Sequence, residues 1–315
     1  MGAILVMYHY VRDPDPRQPG IAAIGMDDFA GQIEHLLRHY EPLEPDALLA
    51  AVRDGAPVPD GFVLTFDDGV RDHYENAAPV LERHGIHGIF APIGLPYLHH
   101  KIPFVQKNQL VRGRLGEDGV ADAYVEVAEE VAPEAAAAIE SAPIGEYRRG
   151  SEKYLKFKYA SNRLIPREVS EGIMSRLFAQ HVSEDEVGYI DELYMTQGEI
   201  IDLRRRGHSI AGHSISHPSL PQLDEEDQER EVNAAKAWLE LMLDEPLAWW
   251  NYPYGDHDER SERVCERLGL EIAYSTRPPI DWVSLDDRFR VPRVDTVFLP
   301  TSSDAEPVEL HGEVV

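Results

Sequence analysis

Two short polar motifs carry the side chains of this sequence that are best suited to catalysis. The first, Thr65-Phe66-Asp67-Asp68-Gly69, lies at the end of a short apolar run that is typical of a buried strand. Two carboxylates crowded together repel each other, unless a cation binds one of them and leaves the other as a base. Asp-Asp-Gly is also a common turn sequence, so this motif alone favours a turn over a catalytic site.

The second motif, His213-Ser214-Ile215-Ser216-His217, follows the predicted small-residue strand Ala211-Gly212. Two histidines four positions apart share one face of a helix and can bind one metal ion through their ring nitrogens. With 14 histidines in 315 residues, such a pair also arises by chance, and His35 and His39 form one on a predicted outer helix. Alone, the second motif does not decide between a metal site and coincidence.

Taken together, the two motifs indicate a hydrolytic metal site. One aspartate and two histidines at the carboxyl ends of two strands supply three protein ligands, which leaves a position open for water or a substrate oxygen. The second carboxylate of the first motif then remains available as a general base. Because Cys265 is the only cysteine, an intrachain disulfide and a multi-thiolate zinc site are excluded.

Predicted strands and helices alternate on both sides of a long helical segment. Strands are predicted at 3–9, 61–66, 87–92, 209–212, 247–252, 270–275 and 290–297, and helices at 27–40, 45–54, 71–84, 225–243 and 258–268. This alternation predicts an α/β fold with a parallel sheet, and about seven units favour a barrel over an open sheet. The domain prediction places the barrel at 1–99 and 196–300, a helical insertion or lid at 100–195, and a C-terminal tail at 301–315.

The charge balance excludes one broad class of function. Lys and Arg number 30 and Asp and Glu number 57, so the formal net charge is −27. A surface this acidic repels phosphate backbones, which argues against general nucleic-acid binding. No apolar stretch approaches the ~18 residues of a membrane span, and the N-terminus lacks a signal-peptide pattern. We therefore expect a cytoplasmic enzyme, not an integral membrane protein, either free or peripheral to the inner membrane face.

These motifs resemble those of the polysaccharide deacetylase family, also called carbohydrate esterase family 4, which contains chitooligosaccharide and peptidoglycan deacetylases. The resemblance extends to three further segments: Met7-Tyr8-His9, Tyr252-Pro253-Tyr254-Gly255 and Val291-Pro292-Arg293-Val294. It covers roughly residues 1–98 and 194–298 and implies a distorted (β/α)7 barrel with a mainly helical insertion between the first and second motifs.

The resemblance also implies roles for individual residues. Asp68, His213 and His217 would hold one divalent metal ion, with zinc expected first and cobalt, nickel, iron or manganese as alternatives. Asp67 would activate a water molecule, and a backbone N–H near Tyr254 would stabilise the oxyanion. The reaction implied is removal of an acetyl or other N-acyl group from an amino sugar.

The sequence departs from the family where an arginine usually orients the base. Many members open the third motif with that arginine, but this chain has Trp249-Trp250-Asn251-Tyr252-Pro253-Tyr254 there. Arg293, at the end of the last predicted strand, is our candidate for the missing guanidinium. The alternative interpretation is a surface arginine in an ion pair.

The usual general acid, a histidine in a Leu-x-His setting, has no match near the C-terminus, where Leu310-His311 lies in a polar tail. His9, at the end of the first predicted strand, is the candidate replacement, and a satisfied core histidine is the alternative. Lys101, at the start of the helical insertion, is expected to line the rim of the site and contact substrate.

A basic cluster in the insertion bears on the substrate. Its seven cations are interleaved with Tyr154, Phe157 and Tyr159, and are Arg148, Arg149, Lys153, Lys156, Lys158, Arg163 and Arg167. Such a cluster is suited to binding a phosphate or pyrophosphate, as on a nucleotide- or lipid-linked sugar, although a solvated helix face is the more frequent explanation of a charged run.

We therefore expect a metal-dependent N-deacetylase that acts on an intermediate of surface-polysaccharide or glycoconjugate synthesis. The alternatives are a deformylase or another C–N hydrolase on the same fold, and a carbohydrate-binding pseudoenzyme.

Overall fold

A computed structural model describes residues 3–144, 150–276 and 287–306 of the chain. The chain divides into two compact units: the first contains 1–13, 23–94 and 193–315, and the second contains 14–22 and 95–192. Arg148 and Arg149 of the basic cluster lie outside the described residues, as does the C-terminal tail from residue 307, with Leu310-His311.

Seven parallel strands form one sheet in the first unit, in the order β6-β5-β4-β3-β2-β1-β7. Their bounds are β1 Ala3–Tyr8, β2 Gly61–Asp68, β3 Ile89–Pro92, β4 Ser209–Gly212, β5 Trp249–Asn251, β6 Ile272–Tyr274 and β7 Val294–Asp295. Val291, just before β7, pairs with Tyr274 of β6, whereas Val294 pairs with Val6 of β1. Because one short segment pairs with β6 at one edge of the sheet and with β1 near the other edge, the sheet curls into the distorted (β/α)7 barrel that was predicted.

Twelve α-helices accompany these strands in the described residues. They are α1 Met26–His39, α2 Pro45–Asp54, α3 Ala78–Arg83, α4 Leu95–His99, α5 Phe104–Val131, α6 Pro133–Ser141, α7 Glu152–Arg163, α8 Arg167–His181, α9 Glu186–Leu193, α10 Gln197–Arg205, α11 Glu225–Leu243 and α12 Glu259–Arg267. The prediction for α11 matches its observed bounds.

The helix predicted at 71–84 is only partly correct. Its first part is a π-helical turn, His73–Ala77, in which the N–H of Ala78 donates to the carbonyl of His73, and α3 begins only afterwards. Pro79 explains the irregularity, because it has no N–H to donate to the carbonyl of Glu75 in a regular α-helix. Single π-helical turns of this kind are frequent at functional sites.

Alternating side chains of β2 determine which residues face the barrel interior. Phe66 stacks between Tyr8 of β1 and Phe90 of β3, with ring centroids 5.4 and 4.8 Å away, and also contacts Phe29 of α1. Since successive side chains of a strand point to opposite faces, Thr65 and Asp67 face away from this outer aromatic layer. The packing of Phe66 therefore directs Asp67 inward.

The second unit has a core of its own, in which α5 packs on α6, α7 and α8. Residues 14–22 approach α5 closely, and a Cβ on Gly113 would lie 2.2 Å from the backbone nitrogen of Gly20. Lys107 is buried in this unit, 2.8 Å from Glu186, and donates a hydrogen bond to Ser175. A charged side chain is tolerated in a protein interior when it is paired, so the contact with Glu186 explains why Lys107 can be buried.

Three cations of the basic cluster are paired within the second unit. Lys153 lies 2.7 Å from Asp122, Lys156 lies 3.0 Å from Glu152, and Arg167 lies 3.2 Å from Glu171. The interleaved Tyr154 and Phe157 are buried in the unit's core. These contacts favour the interpretation of a paired helix surface, and phosphate recognition stays a prediction.

No helix in the described part of the chain is both long enough and apolar enough to cross a membrane.

A buried histidine makes the stability of the barrel depend on pH. His208 precedes β4, and its Nδ1 accepts a hydrogen bond from the N–H of Gly88, 3.1 Å away. Burial lowers the pKa of His208 to about 4, although Glu82 nearby acts in the opposite direction. Between about pH 6.5 and 4 the unfolded chain thus binds a proton here that the native protein does not. The free energy of unfolding should therefore fall as the pH falls through this range.

The variant His208→Asn tests this linkage, because its amide oxygen can still accept from Gly88 but does not titrate. Urea unfolding between pH 4 and 7 should show a smaller pH slope for the variant than for the wild type. Parallel curves would contradict the assignment.

Candidate functional site

Asp67 and Asp68 lie at the carboxyl end of β2, where they pair with Ala91 and Pro92 of β3. Each is only 2% exposed. Asp68 has a left-handed backbone conformation, with φ of 77°, so the regular alternation of side chains ends at this residue. Both carboxylates consequently approach histidines of the same site, as expected for a turn at this position.

The segment from His213 to His217 is a loop after β4, so the prediction that both histidines share a helix face is wrong. Ser214 and His217 have positive φ values of 62° and 58°, which an α-helix excludes. The hydroxyl of Ser214 accepts a hydrogen bond from the N–H of His217, 2.9 Å away. The carboxylate of Glu231, on α11, accepts from the N–H groups of Ile215 and Ser216. These acceptors replace the carbonyls that a helix would have supplied.

The loop nevertheless brings both imidazoles to Asp68. Oδ1 of Asp68 lies 3.5 Å from Nε2 of His213 and 3.7 Å from Nε2 of His217. One candidate ligand atom from each residue lies within 4.8 Å of the others, and all three residues are buried. The three predicted ligands therefore converge.

The hydrogen bonding of this group suits a divalent cation. Nδ1 of His213 lies 2.9 Å from the carbonyl oxygen of Asn251, and because a carbonyl only accepts, Nδ1 carries the proton and Nε2 keeps its lone pair. Oδ1 of Asp68 is buried and receives no hydrogen bond from the residues that the structure describes. One carboxylate and two imidazoles are a donor set that zinc and neighbouring transition metals accept.

The two carboxylates are held in their ionised forms. Burial by itself raises the pKa of Asp68, but the neighbouring imidazoles of His213, His9 and His217 lower it to about 2. Burial likewise raises the pKa of Asp67, yet the charge and hydrogen bonds of Arg293 hold that pKa well below its usual range. Both groups are therefore anionic at neutral pH.

Arg293 reaches Asp67 from the segment just before β7. Its Nη1 and Nη2 donate to the two carboxylate oxygens of Asp67, 2.7 and 2.8 Å away. Nη1 also donates to Oγ1 of Thr65 and Nη2 to Oδ1 of Asn251, at 2.9 and 3.1 Å. The guanidinium lies 4.6 Å from the centre of the Tyr274 ring. Arg293 is 2% exposed, so the alternative of a surface ion pair is wrong.

His9 lies beside Asp67 and is partly exposed to solvent. Its Nε2 is 3.8 Å from Oδ2 of Asp67, and its side chain is 41% exposed, so it is not a satisfied core histidine. The π-helical turn holds the backbone around it: His73 donates to the carbonyl of His9 at 2.7 Å, and Asn76 donates to that of Val11 at 2.8 Å. The position suits a proton donor that must meet both solvent and substrate.

Tyr254 and Lys101 differ in their placement. Tyr254, in a short turn after β5, has a positive φ of 59°, and its ring contacts that of His217 edge-on, with centroids 4.5 Å apart. Lys101 belongs to the second unit and is exposed. It takes part in none of the hydrogen bonds or ion pairs of the described residues, and its role stays a prediction.

Backbone strain concentrates at this site. Six non-glycine residues among those described have positive φ values, and four of them are Asp68, Ser214, His217 and Tyr254. Such conformations cost about 1–3 kcal/mol each and persist where surrounding contacts enforce them, often at functional sites.

Sequence reasoning missed two residues of the site. Asn251 was a recognisable signal, because it is a polar residue directly after two tryptophans in a predicted strand. Glu231 gave no local signal, because it lies among many other charged residues of an amphipathic helix.

The contact of Glu231 with the histidine loop generates a prediction. Glu231→Gln replaces one acceptor oxygen by a donor. The carboxylate accepts three hydrogen bonds, from the N–H groups of Ile215 and Ser216 and from the hydroxyl of Ser216, and the amide of glutamine cannot accept all of them in the same geometry. We expect Zn²⁺ affinity to fall about 10- to 100-fold, as for other changes beyond the direct ligands, and stability by about 1–3 kcal/mol.

Isothermal titration with Zn²⁺ and urea unfolding measure the two effects. The matched control is Glu229→Gln on the same helix, whose carboxylate pairs with Arg267 at the surface and should change either quantity little. Equal Zn²⁺ affinities for Glu231→Gln and the wild type would refute the role of Glu231.

Comparisons with known proteins agree with this site and fold. The profile of the family described as polysaccharide deacetylase matches residues 178–273, which include the second and third motifs. A chitin deacetylase of Amylomyces rouxii is 29% identical over 76 residues, or 24% of this chain and 18% of that protein. The chain matches less than a third of the length of the curated relatives.

Solved structures resemble the chain over nearly its whole length. The deacetylase PplD of Streptococcus pyogenes, in complex with acetate, has a TM-score of 0.59 at 16% identity, covering 96% of each chain. IcaB of Ammonifex degensii has a TM-score of 0.53 at 16% identity, covering 93% of this chain and 91% of the other. At these identities the likeness concerns the fold.

Proposed function

Since the chain belongs to the polysaccharide deacetylase family, a family of hydrolases of carbon–nitrogen bonds other than peptide bonds, we propose that it is a metal-dependent N-deacylase of an amino sugar. One observation carries this proposal. Asp68, His213 and His217 converge as a set of possible metal ligands, while the adjacent Asp67 is bound by Arg293 and stays outside that set. A carbohydrate-binding pseudoenzyme would not need an ionised base beside a metal site.

Asp67 is proposed to accept the proton of the attacking water. The bidentate contact with Arg293 fixes the plane of the carboxylate and keeps it ionised. This contact also makes Asp67 a weak base, so the attacking water must itself be made more acidic. A divalent ion held by Asp68, His213 and His217 would, when bound, acidify that water and polarise the acyl carbonyl.

His9 is proposed to protonate the leaving nitrogen. Water adds its oxygen to the carbonyl carbon, the C–N bond breaks, and the amine takes up a proton, so the products are a carboxylate and an amino sugar. A group that is both near Asp67 and open to solvent, as His9 is, suits this step. The backbone N–H of Tyr254 as oxyanion donor and Lys101 at the rim complete the proposal.

The finer parts of the proposal concern the substrate and its setting. We propose an N-acetylated sugar on the pathway to a surface polysaccharide or glycoconjugate, carried on a nucleotide or a lipid, in the cytoplasm or at the inner membrane face. The barrel and insertion boundaries, and the action of the insertion as a lid, remain predictions. Zinc is proposed first, because the donor set contains two imidazoles.

Two substitutions separate metal binding from catalysis. His213→Ala removes a proposed ligand and should abolish stoichiometric binding of Zn²⁺. Asp67→Asn keeps the ligand set, so it should still bind close to one Zn²⁺ per chain while turnover falls at least about 100-fold, the lower range for loss of a general base. Metal analysis and acetate release from N-acetylated nucleotide sugars measure the two properties.

The control for these variants is His39→Ala. His39 belongs to the other histidine pair, on α1, where its ring contacts His35 and the carbonyl of Ala305. It should leave metal content and turnover unchanged. Formate release in place of acetate would favour the deformylase alternative, and activity retained by both His213→Ala and Asp67→Asn would place the site elsewhere.

The proposed role of Arg293 makes a separate prediction. Arg293→Lys keeps the positive charge but cannot donate two parallel hydrogen bonds to Asp67. We expect kcat to fall about 10- to 100-fold, with metal content and KM nearly unchanged, in steady-state kinetics of acetate release. Unchanged turnover would show that orientation of Asp67 by a guanidinium is not required.

A further inference from the structure

We propose that Asn251 is a positioning residue that aims the guanidinium of Arg293 at Asp67. Its amide oxygen accepts from Nη2 of Arg293, at 3.1 Å, while the bound carboxylate oxygen lies 2.8 Å from the same nitrogen. This inference rests on the proposed function, because Asp67 matters as a base only in a hydrolase of this kind.

Arg293 is held at both ends of its fork. Nη1 donates to Oγ1 of Thr65, whose hydroxyl in turn donates to the carbonyl of Val6 on the neighbouring strand, 2.9 Å away. Nη2 is held by Asn251, so the two amino groups have separate acceptors besides the carboxylate of Asp67. A planar group fixed at two points cannot turn away from its carboxylate without breaking one contact. Asn251 therefore supplies the constraint on the side opposite Thr65.

Asn251 contacts both the arginine that binds the proposed base and one of the proposed metal ligands. Its side chain contacts Arg293, whereas its backbone carbonyl accepts the Nδ1 proton of His213, 2.9 Å away. A substitution at this position changes the first contact and leaves the second possible. Variants at position 251 can thus test the orientation of Arg293 and Asp67 without removing the hydrogen bond that orients His213, a proposed metal ligand.

Stability alone does not explain an asparagine here. Asn251 is fully buried, and neither its Nδ2 nor the Nε of Arg293 has an acceptor among the hydrogen bonds of the described residues. Buried donors without acceptors destabilise a protein, and buried ion pairs often stabilise less than apolar residues of the same volume. We therefore attribute the presence of Asn251 to its role in orienting Arg293.

Asn251→Ala tests the proposal in the full-length, zinc-loaded protein. We expect kcat for acetate release to fall about 10- to 100-fold, as for loss of a hydrogen bond to a charged group. KM should change less than about twofold, and the Zn²⁺ content should stay the same, because the backbone carbonyl remains. The matched control is Asn108→Ala, a buried asparagine of the second unit that contacts Tyr154, which should leave kcat unchanged.

A double-mutant cycle shows whether Asn251 acts through Arg293. In an Arg293→Lys background, Asn251→Ala should lower kcat by less than about twofold, because the guanidinium that it positions is already absent. A loss of the same size in both backgrounds would overturn the proposal, as would a wild-type kcat in the single variant. If Asn251→Ala does not fold, Asn251→Ser, whose side chain is too short for this contact, carries the same expectation.

A spectroscopic readout separates this inference from the proposed function. In metal-free protein labelled with ¹⁵N-arginine, NMR should show separate Nη signals for Arg293, because a bound guanidinium rotates slowly, and Arg293→Lys assigns them. Asn251→Ala should merge or remove these signals, whereas Asn108→Ala should keep them. Unchanged signals in Asn251→Ala overturn the positioning role. Lost signals in a protein that hydrolyses no acylated sugar support that role and refute the deacylase proposal instead.

Discussion

The buried ion pair between Arg293 and Asp67 is the interaction on which the rest of the site depends. Both groups are removed from water, and charges in that environment persist only when they are paired and hydrogen-bonded. Removing one partner would leave an uncompensated buried charge, at a cost of about 3–5 kcal/mol. The pair also joins the segment before β7 to β2, two parts of the chain that are 226 positions apart.

The same arginine links the site to the closure of the barrel. Its amino groups contact Thr65 on β2 and Asn251 on β5, strands that are not neighbours in the sheet. The segment that carries Arg293 pairs with β6 through Val291 and with β1 through Val294. Closure of the sheet and orientation of the proposed base are therefore consequences of one segment's position.

Contacts around the site offset the strain that its geometry requires. The left-handed conformations of Ser214 and His217 point both histidines at Asp68, and the hydroxyl of Ser214 and the carboxylate of Glu231 satisfy the N–H groups that this loop leaves without helical partners. On the other side of the site, the π-helical turn holds the backbone of His9. Each of these groups is thus held by contacts with neighbouring residues, which is how enzymes keep reacting groups pre-organised.

Local patterns in the sequence determined the parallel barrel, the approximate positions of its strands, and the residue types that meet at its carboxyl edge. Strand ends and ligand residues are accessible to such reasoning because apolar runs, turn residues and short motifs reflect hydrogen bonding between near neighbours in the chain. Tertiary structure alone decided the loop conformation of His213 to His217, the π-helical turn before α3, and the contacts of Asn251 and Glu231. These features depend on contacts between groups that lie far apart in the chain and come together only when the sheet closes. A short-range pattern in the sequence carries no information about such contacts.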